Sequence, residues 1–279
     1  MTDPRIDAES ALRAGDPRAA LAHLTSAVRA KPADAKLRIF LSQLLCVLGQ
    51  WERAHTQLNV VADMDSETAA MRETVGHAIR CELMRAKVFA GERTPMVFGQ
   101  PDEWLALLIE SLLQKGQGNA AMADDLARRA FDAAPEVTGR IDGQAFTWLA
   151  DGDSRLGPVI EACVAGRYYW VPYARLTGIV FDPPADLRDC VWMPATLTFA
   201  NGGETVALVP TRYPGSELSE DGAICLARKT VWQDAGNDRW FGLGQRVLAT
   251  DAGEYDLMAV LNIELDDVPA VAEAAGEAA

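Results

Sequence analysis

Asp151, Asp153, Arg155 and Glu161 fall within eleven residues of one another, just after Trp148, and form the densest group of chemically able side chains in the sequence. Carboxylates at such spacing can hold a cation, exchange a proton or form ion pairs. A calcium loop beginning at Asp151 would place Arg155 at its third ligand position, and no bidentate glutamate closes the loop. Ser154 lies in Gly-x-Ser-x-x-Gly, one residue away from the spacing of a nucleophile elbow. It also lacks a base, because His23, His55 and His77 all precede this region. Two readings of the cluster remain. In one, Asp151 and Asp153 accept backbone N–H bonds in a turn, while Arg155 pairs with an acidic neighbour such as Glu161. In the other, the cluster from Asp151 to Arg155 is a binding module for a small molecule or peptide.

Other candidate chemistry is thinner. Gly116-Gln117-Gly118-Asn119-Ala120-Ala121 matches a dinucleotide fingerprint, but it follows a helical pattern instead of a strand and reads as an interhelical turn. Cys46, Cys81, Cys163, Cys190 and Cys225 are odd in number, scattered and without a Cys-x-x-Cys pair, as expected of reduced, buried thiols. Strand alternation over residues 168–173 puts Tyr168 and Trp170 on one face and Tyr169 on the other. Tyr168, Tyr169 and Trp170 are candidate interface anchors, with core packing the competing use. No catalytic residue, metal or cofactor is expected.

The elements that would carry these groups come in two kinds. Gly15, Ala20, Leu24 and Val28 recur 34 residues later as Gly49, Ala54, Leu58 and Ala62, the period of a tetratricopeptide helical hairpin. Asp16-Pro17 and Asp34 are helix starts, and the apolar face of Leu37, Phe40, Leu41, Leu44, Leu45 and Leu48 follows the second. Helices are predicted over 51–63, 67–90, 102–114 and 120–134. Beyond Pro135 the pattern becomes short β-branched runs between Gly, Pro and Asp. Strands are predicted over 168–173, 178–181, 195–199, 205–210, 225–232, 240–248 and 256–265, with a hairpin turn at Asn201-Gly202-Gly203.

The fold class expected is therefore α+β multidomain: TPR-like α-helical hairpin repeats over 1–138, then a mainly antiparallel β-rich domain over 139–267. Residues 268–279, rich in Ala and Glu, are expected to form a flexible tail. The net charge of −14 lies mostly in residues 139–279, with 10 basic and 21 acidic side chains. That balance argues against nucleic acid as a partner. The N-terminus lacks an apolar signal core and no run reaches the roughly 20 apolar residues of a membrane span, which predicts a soluble, cytoplasmic protein.

The stretch Trp148-Leu149-Ala150-Asp151-Gly152-Asp153-Ser154-Arg155-Leu156-Gly157-Pro158-Val159-Ile160-Glu161 resembles the hallmark of the ImpE/SciE (TagJ) family of type VI secretion accessories. Further similar segments are Gly166-Arg167-Tyr168-Tyr169-Trp170-Val171-Pro172, residues 187–194, Arg212-Tyr213-Pro214-Gly215-Ser216, and Ala227-Arg228-Lys229-Thr230-Val231-Trp232. The resemblance implies a non-enzymatic adaptor with no catalytic residues to transfer. It implies as partners a helical segment of the small subunit of the contractile sheath and the ClpV-type AAA+ ATPase that disassembles the sheath. An amphipathic helix laid in a groove of helical hairpins, with residues 6–90 as its main contributors, is the expected mode of binding. Three or four leucine-sized anchors would supply on the order of 5–10 kcal/mol before the costs of association.

Overall fold

A computed structural model of the chain describes residues 4–266. Residues 268–279, expected to be a flexible tail, lie outside the described residues. Seven helices come first: α1 (Pro4–Arg13), α2 (Pro17–Ala30), α3 (Ala35–Val47), α4 (Trp51–Met64), α5 (Ala69–Phe89), α6 (Glu103–Gly116) and α7 (Ala120–Ala133). The starts follow local rules. The Asp16 carboxylate accepts from the Ala19 N–H at 2.8 Å and Asp34 from that of Leu37 at 3.1 Å, so each aspartate satisfies a donor that the helix leaves unpaired. Gly15 and Gly49 turn the chain back at φ +81° and +64°, a region that favours glycine. Ala20 and Ala54 are fully buried, and their small side chains let the hairpin helices approach closely. The nucleotide-like glycine motif is the turn between α6 and α7.

The strands are β1 (Gly139–Ile141), β2 (Gln144–Phe146), β3 (Leu149–Asp151), β4 (Val159–Val164), β5 (Arg167–Pro172), β6 (Leu176–Phe181), β7 (Trp192–Phe199), β8 (Glu204–Pro210), β9 (Thr230–Asp234), β10 (Trp240–Gly244), β11 (Val247–Thr250), β12 (Gly253–Asp256) and β13 (Asn262–Leu265). One antiparallel sheet of eight strands runs in the order β2-β1-β13-β6-β7-β8-β4-β5. Two small sheets, β10-β9 and β12-β11-β3, stand beside it. Asn201 to Gly203 joins β7 to β8 as expected. Three predicted strands differ. Of 225–232 only the end from Thr230 is strand, because Cys225 closes a short helix, α8 (Gly222–Cys225). The stretch 240–248 breaks at Gln245-Arg246 into β10 and β11, and 256–265 is interrupted by a helical turn at Leu257–Ala259 before β13.

The two halves share their cores. Val191, Trp192, Cys225 and Leu226 from the β-rich half are buried within the core of α1–α5. A second core joins α5, α6 and α7 to β4 and β5 through Trp104, Leu105 and Leu108 against Val159, Tyr168 and Trp170. Cys81 of α5 and Cys163 of β4 are joined as a disulfide, with Cα atoms 6.1 Å apart. The sequence reading of five reduced thiols is corrected here, because a pair 82 residues apart leaves no spacing signal. Cys46, Cys190 and Cys225 are free, and burial pushes the Cys46 thiol up to about 12, away from reactivity.

Candidate functional site

Asp151 closes β3, Asp153 sits in the turn after it, and Glu161 lies mid-strand in β4, so the motif delivers three carboxylates into the interior. The Arg85 guanidinium, reaching in from α5, donates to Glu161 in a bidentate pair at 2.6 and 2.9 Å. Arg246 joins Glu161 to Asp151, donating to the former and, at 2.8 Å, to the latter. Tyr213 donates to Asp151 at 2.9 Å, and Tyr168 donates to Glu161 while accepting from the Trp170 indole at 2.7 Å. Asp153, fully buried, takes Arg155 as its partner at 2.8 Å and the Gly242 N–H at 2.8 Å. Arg155 lies over the rings of Phe89 and Phe241, 4.9 and 4.8 Å from their centroids.

Several expectations are thereby refined. Arg155 pairs with Asp153, whereas Glu161 belongs to Arg85 and Arg246. Asp151 and Asp153 do accept backbone N–H bonds, from Asp153 and Arg155 respectively. Trp148 is 38% exposed and stands outside the cluster. Tyr168 and Trp170 are buried between the sheet and α5–α7, so they are not exposed anchors. The alternation argument assumed one wet face, but helices cover one side of β5 and the sheet core the other. Tyr169 is half-buried and stacked on Phe98 at 4.2 Å.

The charges are unequal in their comfort. Burial opposes ionisation of Glu161, yet Arg85 and Arg246 outweigh it and hold the carboxyl down to about 2. Asp151 is pushed up to about 7 by burial, which its pairing with Arg246 only partly offsets and the neighbouring Asp153 reinforces. Every oxygen of Asp151, Asp153 and Glu161 accepts at least one hydrogen bond, leaving no lone carboxylate for a ligand. Among the described residues no group of His, Cys, Asp and Glu is arranged to hold a metal. The arrangement is suited to locking α5 against β3, β4 and β11.

Sequence reasoning missed the arginines that complete this lock. Arg212 donates to the carbonyls of Val47 at 2.7 Å and Cys46 at 3.2 Å, and to that of Cys225, covering the C-terminal ends of α3 and α8. Arg228 does the same at the end of α1, donating to the Leu12 carbonyl at 2.8 Å. Each cation meets the negative end of a helix dipole and adds a charged donor to the carbonyls of the last turn. Both arginines sit in segments singled out by resemblance, which was the available signal. An open concavity lies elsewhere: a cleft of about 570 Å³ between α4 and α5, lined by Trp51, Ile79 and Leu83 among others.

The comparisons agree with this architecture. The tetratricopeptide repeat model matches residues 11–75, and the model of the ImpE protein matches residues 143–264. A type VI secretion system accessory component TagJ from Pseudomonas aeruginosa is 48% identical over 263 residues, covering 94% of this chain and 92% of the relative. The crystal structure of protein VPA1032 from Vibrio parahaemolyticus superposes with a TM-score of 0.85 at 26% identity, covering 94% of this chain and 98% of that one. No helix of the described residues is long and apolar enough to cross a membrane. With helical repeats at the front, the ImpE domain behind and near full-length similarity to an accessory component, the chain belongs to the ImpE/SciE (TagJ) family of type VI secretion system accessory proteins.

Proposed function

We propose that the protein is a non-enzymatic adaptor of a type VI secretion system, working in the cytoplasm. It holds a helical segment of the small sheath subunit and assists recognition of that subunit by the ClpV-type AAA+ ATPase. The observation that carries this reading is the pairing of tetratricopeptide-type hairpins, a scaffold for binding protein segments, with near full-length similarity to a secretion accessory component. The saturated interior of the Asp151–Arg155 cluster supports a scaffold role over a ligand site. The test is a pull-down with the intact chain against the small sheath subunit, with and without that subunit's helical segment. Retention that depends on the segment is expected; retention of neither form refutes the adaptor role.

A further inference from the structure

Cations also gather away from the buried lock, where the ends of α5 and α6 meet β10. A Cβ on Gly91 would lie 2.4 Å from the Leu112 carbonyl oxygen, and one on Gly116 2.4 Å from that of Ala90. Only bare glycines allow that approach, and it brings the last turn of α6, with Lys115, beside the end of α5. In β10, Gly242 lies against the Tyr213 ring, so strand alternation turns Phe241 to the opposite side. Three cations meet at that one ring. Lys115 Nζ is 3.7 Å from its centroid, and the guanidinium carbons of Arg155 and Arg239 are 4.8 and 5.9 Å away.

The three are unequally neutralised. Asp153 holds Arg155, and Asp124 holds Arg239. Lys115 has neither a hydrogen bond nor an ion pair among the described residues and meets only the ring. The Arg239 Nε is buried and finds no acceptor either, so the cluster has donors to spare and no anion to take them. An amine beside other cations is disfavoured as ammonium, and its free form is a nucleophile. Desolvation, and then the charges of Arg155 and Arg239, push Lys115 below the ordinary lysine value, with Asp153 and Asp124 opposing. The residue is exposed, so a reagent in solution reaches it.

We propose that Lys115 is a modification site, its amine taking the acyl group of an anionic acyl phosphate that the neighbouring arginines draw to it. The free amine, its ammonium proton given to water, attacks the carbonyl carbon. The carbon–nitrogen bond forms as the bond from that carbon to the phosphate oxygen breaks. Phosphate leaves with the electron pair and takes up the remaining amine proton. The amide produced is neutral, which removes one of three like charges at Phe241.

Lys31, Lys36, Lys87 and Lys229 are the other lysines of the chain; all are exposed and serve as internal references. The intact protein is incubated with acetyl phosphate, and acetylation at each lysine is timed by peptide mass spectrometry. Lys115 is expected to react about fivefold faster than the fastest reference. With acetic anhydride, which carries no charge for the arginines to attract, that preference should shrink about threefold. Arg239→Gln should shrink it with acetyl phosphate to a similar extent, and Arg239→Lys should keep most of it, with circular dichroism unchanged in both. The comparison of reagents needs no variant, so it stands whether or not Arg239→Gln folds. Acetylation of Lys115 no faster than that of the references overturns the proposal, and so does an equal preference with the two reagents.

Discussion

Glu161 stands between two guanidinium groups in the interior, so neutralising it leaves Arg85 and Arg246 facing each other without a counter-charge. Glu161→Gln is expected to cost about 3–5 kcal/mol, read as a lower urea midpoint, whereas replacing all three by apolar residues of similar volume should recover much of that loss. Asp151 gives a different signature. Its carboxyl is raised to about 7 in the fold against roughly 3.9 in an unfolded chain, so the folded state holds a proton that the unfolded state sheds. Its contribution is complete below about pH 4 and is lost as pH rises through 7. Glu161, depressed to about 2, contributes above its unfolded value of roughly 4.3 and loses that contribution as pH falls towards 2. Buried Glu82 is also raised, adding a decline of the same sign as that of Asp151. Urea midpoints should therefore decline from pH 4.5 to 7.5, and Asp151→Asn should make that decline shallower. An unchanged slope would show that Asp151 does not titrate in this window.

Elements were legible where their causes are local. Asp16, Asp34, Gly15 and Gly49 act on residues a few positions away, and the helices from α2 to α7 fall within a few residues of their predicted bounds. The early strands were not legible: β1, β2 and β3 have three residues each, too few for a period. β4 is buried on both faces through Cys163 and shows no alternation. The lock was hidden for another reason. Arg85 is 76 positions from Glu161, and Arg246 is 95 from Asp151, so no window of sequence contains either pair. The disulfide between α5 and β4 belongs to the same class. Titration of the denatured protein should find three thiols before reduction and five after it; five at the outset would remove the bond from the structure. Breaking it should lower stability by about 2–4 kcal/mol, since it closes a loop of 82 residues.

At the scale of the whole molecule, a boundary near residue 138 divides the pattern of elements but not the packing. Trp192 is buried against Trp51, with ring centroids 5.9 Å apart, and its indole N–H donates to Glu82 at 3.0 Å. Arg212 and Arg228 supply the ends of α3, α8 and α1 with donors that the helical half does not contain. A helical half cut free would expose the surface that Val191, Trp192, Cys225 and Leu226 cover, and would return the α1 and α3 carbonyls to water. Burial of that apolar surface and those charge-assisted bonds is what couples the halves. The intact chain should accordingly unfold in one cooperative transition, followed alike by near- and far-ultraviolet circular dichroism. A fragment of residues 1–138 should keep helical signal, lose near-ultraviolet structure and bind a hydrophobic dye. In the intact chain, Trp192→Ala should cost about 3–5 kcal/mol and lower both probes together, because its cavity opens in a core that the two halves share. Separate transitions for the two probes, or a fragment that unfolds cooperatively on its own, would instead make the helical half a self-sufficient platform. Arg212 and Arg228 of the ImpE domain would then need a reason other than holding that platform in shape.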